Sequence, residues 1–296
     1  MTAVEPESVI VFRGSRALCN EFGLVLEACA LPCEWIETAS GWALAVAPEL
    51  AQAAHDELER YAAERRPARA VRRAPPPFPG APLGAILYTL VLLAIAYCAG
   101  ARSFRTDWFD AGALESAPGS AHAWWRAVTA LTLHLDPAHL LDNLLFGVGI
   151  GVLASRLLGP GLAWASILAA GAAANYLEML IAPPDYRAVG ASTAVFAALG
   201  LLSGYAWRQR LPRRERWLYR WTPLIAGICL LALLGSGNGH VDVLGHLLGF
   251  CMGVALGWAY ARMGLPRSRR TDLQLALGSA ALLAVIAAWS VALMLG

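Results

Sequence analysis

Long apolar segments separated by arginine-containing turns dominate the chain after about residue 83. Seven of them are predicted to be helices, and they cover residues 83–100, 138–158, 162–181, 192–207, 221–235, 243–263 and 273–295. A helix that crosses a membrane needs about 20 predominantly apolar residues. The fourth and fifth segments are short by that measure. The pattern predicts an all-α polytopic membrane protein with a six-helix bundle and one further C-terminal helix.

The first 66 residues have a different pattern. Three short segments have alternating apolar and polar residues or are rich in residues that favour strands: "VIVFRG", "EWIET" and "WALAV". Two others have the apolar spacing of amphipathic helices: "SRALCNEFGLVLEACA" and "ELAQAAHDELERYAAER". Their order predicts a small βαββα domain of the α+β class over residues 1–66. An Arg/Pro-rich linker is expected over 67–82, a six-helix core over 83–263, and a loop with the seventh helix over 264–296.

Composition supports a membrane location. Hydrophobic residues make up 58% of the chain, charged residues 15%, and the mean hydropathy is +0.52, which is too apolar for a soluble domain of this size. The six cysteines have no C-x-x-C or zinc-like spacing. This spacing gives no indication of a metal site, and we expect no metal. We also expect no organic cofactor and no nucleic-acid partner, and a lipid bilayer around the helices.

Arginine placement predicts the orientation of the helices. The basic residues are all arginine, and most of them flank one side of the predicted spans, at positions 65–73, 156, 208–220 and 262–270. Because cytoplasmic loops carry the excess of positive charge, the N-terminus is expected in the cytoplasm and the C-terminus outside. The loop 101–137 is then external, and its aromatic residues suit the headgroup layer; they are Trp108, Phe109, Trp124 and Trp125.

Several polar residues within the spans are expected at one depth. Ser192 precedes Arg208 by sixteen residues and His246 precedes Arg262 by the same number, which places both roughly 24 Å from the arginine side. His139 and Asn143 bracket that level, at roughly 26 and 20 Å from Arg156. Intramembrane polar groups are costly and are functional candidates by default.

Helical periodicity also gives these residues suitable faces. Ser192 shares a stripe with Phe196, and His246 shares one with Gly249 and Gly253. Small residues at such spacing let two helices approach closely in a membrane. If the stripes face each other, His246 comes within hydrogen-bonding reach of Ser192, as a nucleophile and its base require.

Each residue also has a structural interpretation. A serine in a membrane helix more often bonds back to a carbonyl one turn earlier, an asparagine often joins helices, and a histidine can be a packing or proton-relay residue. Asp242 fits a helix N-cap better than the third member of a triad. Asp142 and Glu178 are expected to be structural groups, hydrogen-bonded inside the bundle.

Taken together, the motifs resemble the rhomboid family of intramembrane serine proteases. The resemblance is carried by "WR" at Trp125 and Arg126, "HLDPAHLLDN" over 134–143, "GAST" over 190–193 and "VDVLGHLLGFCMG" over 241–253. It implies a catalytic dyad of Ser192 and His246. It implies oxyanion-binding side chains at His139 and Asn143, joined by the Ser192 backbone N–H. The supporting positions that it implies are Gly190, Phe196, Gly249, Gly253, Trp125, Arg126 and His134.

Two positions depart from the family pattern. Thr193 stands where the family commonly has glycine, and this adds bulk beside the nucleophile. Phe196 stands where a tyrosine stacks on the base, so stacking is retained and a hydroxyl is lost.

The resemblance thus implies an intramembrane serine endopeptidase that cleaves transmembrane proteins near the outer membrane face, and the arrangement of the chain points to a bacterial inner membrane. Two alternatives stay open. One is a catalytically silent protein with the rhomboid fold that binds membrane proteins or serves quality control. The other is a proton-coupled transporter, which would be expected to show inverted repeats and broken helices. The pattern does not predict an oligomeric state.

Overall fold

The computed structural model describes residues 8–38, 41–65, 77–116, 122–210, 217–235, 242–265 and 270–295. The chain divides into two compact units, Met1–Pro75 and Pro76–Gly296. Most of the predicted linker 67–82 lies outside the described residues. Its last two residues belong to the first long helix, which begins at Ala81.

The first unit has the predicted βαββα order. It contains β1 (Val9–Gly14), α1 (Arg16–Ala28), β2 (Glu34–Thr38), β3 (Gly41–Val46) and α2 (Ala51–Arg65). The strands form an antiparallel sheet in the order β1–β3–β2. The Ser15 side chain accepts a hydrogen bond from the Leu18 N–H and so caps α1. Both helices contribute to one apolar core with the sheet, which includes Phe22 of α1, Leu44 of β3 and Leu58 of α2.

The second unit is built from seven long helices and a folded loop. The helices overlap all seven predicted segments, and the described part of the loop holds two short α-helices, one strand and short 3₁₀ turns. In chain order the elements are α3 (Ala81–Gly100), α4 (Trp108–Gly112), β4 (Leu114–Ser116), α5 (Arg126–Thr129), α6 (Pro137–Leu158), α7 (Pro160–Ile181), β5 (Tyr186–Ala188), α8 (Ser192–Arg210), α9 (Trp217–Gly235), α10 (Val243–Met263) and α11 (Thr271–Leu295).

Within the described ranges, five helices are long and apolar enough to cross a membrane: α3, α6, α7, α10 and α11. The prediction of a polytopic helical membrane protein is therefore confirmed. Helix α8 is outside this group, although it contacts α6, α7, α9 and α10 and is buried through most of its length. Because its neighbours cover it, its surface does not need the hydropathy of a helix that faces lipid.

Glycines bring α8 and α10 into backbone contact. A Cβ atom at Gly249 of α10 would lie 2.3 Å from the Thr193 carbonyl oxygen of α8, and one at Gly253 would lie 2.0 Å from that of Ala197. From the other side, a Cβ atom at Gly200 would lie 2.1 Å from the Phe250 carbonyl oxygen. No side chain larger than hydrogen fits at these positions without separating the helices.

Helix α11 is attached to the bundle at two distant points. Near its start, the buried Gln274 amide accepts a hydrogen bond from Leu162 N (2.9 Å) and donates one to Leu158 O (3.1 Å). Near its end, Trp289 Nε1 donates to Thr132 Oγ1 at 3.0 Å. The seventh helix therefore packs against the same unit as the other six.

The loop between α3 and α6 is packed against the helices. Trp108 is 4% exposed and its ring lies 4.5 Å from that of Trp289, so the expectation that it faces the headgroup layer is wrong. Phe109 and Trp125 are half-buried, and Trp124 is 48% exposed. Buried contacts with α11 compete with the interfacial preference of a tryptophan ring. Strand β4 of this loop pairs antiparallel with β5, which leads to α8.

Candidate active site

Ser192 and His246 are brought together although 54 residues separate them in the chain. His246 Nε2 lies 2.8 Å from Ser192 Oγ, which is a hydrogen-bonding distance. Ser192 is the first residue of α8, and His246 lies in the first turn of α10. Ser192 is half-buried and His246 is 6% exposed. A serine hydroxyl hydrogen-bonded to an imidazole is the arrangement in which the imidazole can take the hydroxyl proton.

Phe196 and Thr193 occupy the positions that depart from the family pattern. The Phe196 ring lies 4.5 Å from the His246 ring at an angle of 41°, so it restricts the movement of the imidazole. Thr193 is buried, and its methyl group faces Gly249, at 3.1 Å from the place that a Cβ atom there would occupy. The absence of a side chain at Gly249 therefore leaves room for the extra bulk of Thr193.

Gly190 makes a close approach possible beside Ser192. Its φ of +140° is unfavourable for any other residue. A Cβ atom there would lie 2.8 Å from His139 Nε2 and 3.4 Å from Ser192 Oγ. His139, Gly190 and Ser192 thus surround one small space, into which the His139 ring nitrogen points.

Asn143 is buried one turn after His139 on α6. Its Nδ2 donates a hydrogen bond to the backbone carbonyl oxygen of His139 at 2.9 Å. The backbone carbonyl oxygen of Asn143 accepts a hydrogen bond from the Tyr88 hydroxyl. Because an amide NH₂ group has two hydrogens, one donor remains for another acceptor. The structure thus places Asn143 beside His139, and the side-chain amide of Asn143 donates to its own helix and not to Ser192.

His134 holds the backbone directly before Ser192. Its Nε2 accepts a hydrogen bond from Ala191 N at 3.4 Å, and its ring lies 5.1 Å from that of His139. Burial, followed by the nearby His139, lowers the pKa of His134 to about 4. The neutral ring, which can accept this hydrogen bond, is therefore the stable form at neutral pH.

This shift predicts a stability change in acid. The pKa of His134 is lowered from an ordinary 6.5 to about 4 on folding, so its contribution to stability is present above pH 6.5 and is lost as the pH falls toward 4. We expect the Tm of the wild-type protein to fall more steeply from pH 7 to 4.5 than that of His134→Gln. The exposed His122 provides the control, since His122→Gln should keep the wild-type slope. Parallel curves for wild type and His134→Gln would contradict the prediction.

Trp125 and Arg126 stabilise the loop, and their hydrogen bonds within the described residues are to the loop backbone and not to Ser192. The Arg126 guanidinium donates to the carbonyl oxygens of Ala113 and Asp110, each at 2.7 Å, and Glu115 lies 3.4 Å away. Trp125 Nε1 donates to Ala111 O at 3.3 Å. Burial lowers the pKa of Arg126, although an arginine remains charged at any physiological pH.

The three acidic residues within the spans have different surroundings. Asp242 is the N-cap of α10 and accepts a hydrogen bond from Gly245 N at 2.7 Å, which agrees with the N-cap role expected from the sequence. Asp142 is exposed on α6, so the expectation that it lies inside the bundle is wrong. Glu178 is fully buried, yet its carboxyl oxygens form no hydrogen bond within the described part of the chain. Gly245 and Asp242 lie beside it.

Sequence reasoning missed several residues that hold the site in place. Tyr186 donates to Asp242, Thr129 donates to Gly112 O, and Thr132 accepts from Trp289. None of them lies on a periodic apolar face, and each has its partner in a distant segment. Among the residues that the structure describes, no three His, Cys, Asp or Glu side chains are grouped to hold a metal ion.

The region that contains these residues is similar to known proteins. Residues 121–263 match the family model of the rhomboid domain. The rhomboid protease GluP of Bacillus subtilis (strain 168) is 32% identical over 158 residues, which are 53% of this chain and 29% of that protein. Rhomboid-like protease 2 of Toxoplasma gondii is 31% identical over 172 residues, 55% of this chain and 58% of the relative. Rhomboid-like protein 11, chloroplastic, of Arabidopsis thaliana is 30% identical over 150 residues, 47% and 54% of the two chains. The chain thus spans between about a third and about three fifths of the length of these relatives.

Proposed function

Because residues 121–263 match the rhomboid domain, we propose that this chain is a rhomboid-family intramembrane serine endopeptidase with Ser192 and His246 as its catalytic dyad. The observation that carries the proposal is the 2.8 Å contact between His246 Nε2 and Ser192 Oγ. Two helices that begin in different parts of the chain both direct a polar side chain to this point, within a bundle of mostly apolar helices. Polar groups in such surroundings are costly and are retained where they have a task.

The proposed reaction begins with proton transfer from Ser192 to His246. The Ser192 oxygen then attacks a peptide carbonyl of the substrate, and His246 returns the proton to the leaving amine. The acyl-enzyme is released by water, which His246 activates in the same way. Asp242 has no role in this proton transfer, because its carboxylate caps the helix and accepts hydrogen bonds from Gly245 and Tyr186.

The oxyanion is proposed to bind between α6 and the start of α8. His139 Nε2 lies beside Gly190 and near Ser192 Oγ, and Asn143 keeps one amide hydrogen that the recorded hydrogen bond does not use. The Ser192 backbone N–H is a third donor, since the first N–H groups of a helix have no partner within it. Donors aimed at the developing negative charge are the usual way to lower the barrier to acyl transfer.

Substrates are proposed to be single-span membrane proteins cut near the outer end of their helix, in the bilayer of a bacterial inner membrane. The catalytic core is assigned to residues 83–263, with the α+β domain 1–66 on the cytoplasmic side and the C-terminus outside. Arginine placement supports this orientation. Small or helix-breaking residues in the substrate would expose its peptide bonds to Ser192.

Labelling with a fluorophosphonate probe tests the proposal directly. The probe is attacked by an activated serine, so wild-type protein in detergent should be labelled whereas Ser192→Ala should not. Ser203→Ala is the matched control, because Ser203 is a second serine of α8 and its removal should leave labelling unchanged. Equal labelling of wild type and Ser192→Ala would exclude Ser192 as the nucleophile. Absence of labelling in both would favour a catalytically silent member of the family.

A further inference from the structure

The segments that lead into α8 and α10 are joined to each other by a hydrogen bond outside the dyad. Tyr186 lies in β5, six residues before Ser192, and Asp242 lies four residues before His246. The Tyr186 hydroxyl donates to Asp242 Oδ1 at 2.8 Å, across 56 residues of chain. This hydrogen bond joins the segment that leads to the nucleophile to the helix that carries the base.

Asp242 controls the first turn of α10 directly. Its side chain accepts from Gly245 N at 2.7 Å, and its carbonyl oxygen accepts from His246 N at 3.1 Å. An N-cap side chain fixes where a helix begins and how its first turn is directed. A shift of Asp242 would therefore move His246.

The segment before Ser192 is held on its other side by the loop. Tyr186 of β5 pairs with Ser116 of β4, Gly190 N donates to Ala130 O at 2.9 Å, and Ala191 N donates to His134. Nothing in these contacts fixes the segment relative to α10. The Tyr186 hydroxyl supplies that connection.

The hydrogen bond is sheltered by the neighbouring helix. Glu178 of α7 is fully buried beside Asp242 and Gly245. Burial and the nearby Asp242 and Glu178 carboxyl groups raise the pKa of Tyr186, so its hydroxyl stays protonated and can donate. The hydrogen bond is partly buried, and a hydrogen bond that is partly removed from water is electrostatically stronger than one in water.

We propose that Tyr186 and Asp242 are positioning residues whose hydrogen bond sets the distance between Ser192 and His246. The inference rests on the proposed protease function. Neither residue touches the reacting atoms, and both act through the segments that carry the dyad. Helix packing through Gly249 and Gly253 fixes the distance between α8 and α10 from Thr193 onward, and the Tyr186–Asp242 hydrogen bond joins the two segments that come before the dyad.

The test measures fluorophosphonate labelling of the full chain in detergent, with the maximal rate separated from the probe concentration at half-saturation. Tyr186→Phe should lower the maximal rate about tenfold and leave half-saturation unchanged, since a misplaced base slows the reaction without altering probe binding. Asp242→Asn keeps an oxygen that can cap the helix and accept from Tyr186, so it should stay within about twofold of wild type. Asp242→Ala removes both interactions and should be slower than Tyr186→Phe.

Two comparisons decide between positioning and general stability. Tyr205→Phe is the matched control, because the Tyr205 hydroxyl donates to Leu265 O at the opposite end of the same pair of helices; it should label at the wild-type rate. The double variant Tyr186→Phe, Asp242→Ala should label as fast as Asp242→Ala alone, because Asp242→Ala already removes the hydrogen bond that Tyr186→Phe removes. Wild-type labelling by Tyr186→Phe, or equal losses in Tyr186→Phe and Tyr205→Phe, would overturn the inference.

A different result would refute the proposed protease function on which this inference rests. Labelling of Ser192→Ala at the wild-type rate would refute the dyad itself, whatever the Tyr186 variants show. If Asp242→Ala does not fold, which its size-exclusion profile will reveal, Tyr186→Phe and Tyr205→Phe decide the matter alone.

Discussion

Replacement of Ser192 or His246 by alanine is expected to lower the cleavage rate of a transmembrane substrate by at least about 10⁴-fold. The reason is that the dyad acts as a unit: without Ser192 no acyl-enzyme forms, and without His246 the hydroxyl keeps its proton. The measurement is the cleavage of a single-span test protein with small, helix-breaking residues near the outer end of its helix. Enzyme and test protein are reconstituted together in phospholipid vesicles.

Removal of one oxyanion donor gives a graded comparison for the same assay. Asn143→Ala should lose only about 10²–10³-fold in rate, since the nucleophile and the base remain. Ser203→Ala should cleave at the wild-type rate. Substantial cleavage by Ser192→Ala would refute the assignment of the nucleophile. A loss in Asn143→Ala as complete as that in Ser192→Ala, with a normal Tm, would contradict its role as one donor among several.

Gly249→Ala should nearly abolish activity although the residue contacts no substrate. A methyl group there would lie 2.3 Å from the Thr193 carbonyl oxygen, so α8 and α10 must separate. Because Ser192 and His246 lie on these helices, a displacement of about 1 Å would cost on the order of 10²-fold in rate. The free energy of unfolding should fall by about 1–3 kcal/mol as well. Cleavage of the test protein and thermal unfolding in detergent measure the two effects.

Gly149→Ala is the matched control for this change. Gly149 lies on α6 with nothing within 4 Å of the place that a Cβ atom would take, so alanine should be tolerated there. The double variant Thr193→Gly, Gly249→Ala should not recover activity, because the closest contact is with the backbone of residue 193 and not with its side chain. Recovery in that variant would show instead that the threonine side chain sets the helix separation.

The boundaries of α10 illustrate what local sequence can predict. The predicted segment 243–263 coincides with the helix, because Asp242 caps its start and Gly264, with a φ of +70°, ends it. By contrast, α8 extends to Arg210 and α9 begins at Trp217, beyond the apolar segments 192–207 and 221–235. Arginine and tryptophan side chains at helix ends can reach the interface, so the helix continues past its apolar part.

The sequence by itself determined the positions of the seven long helices, the βαββα order of the first unit, and the common depth that made Ser192 and His246 a candidate pair. These properties follow from hydropathy, periodicity and capping, which act between residues a few positions apart. Only the tertiary structure decided that Tyr186 binds Asp242, that Trp108 packs against Trp289, and that Gln274 fixes α11 to the turn between α6 and α7. The partners of these side chains lie 56 to 181 positions away in the chain. Such contacts are set by which helix faces meet, and no local pattern encodes that choice.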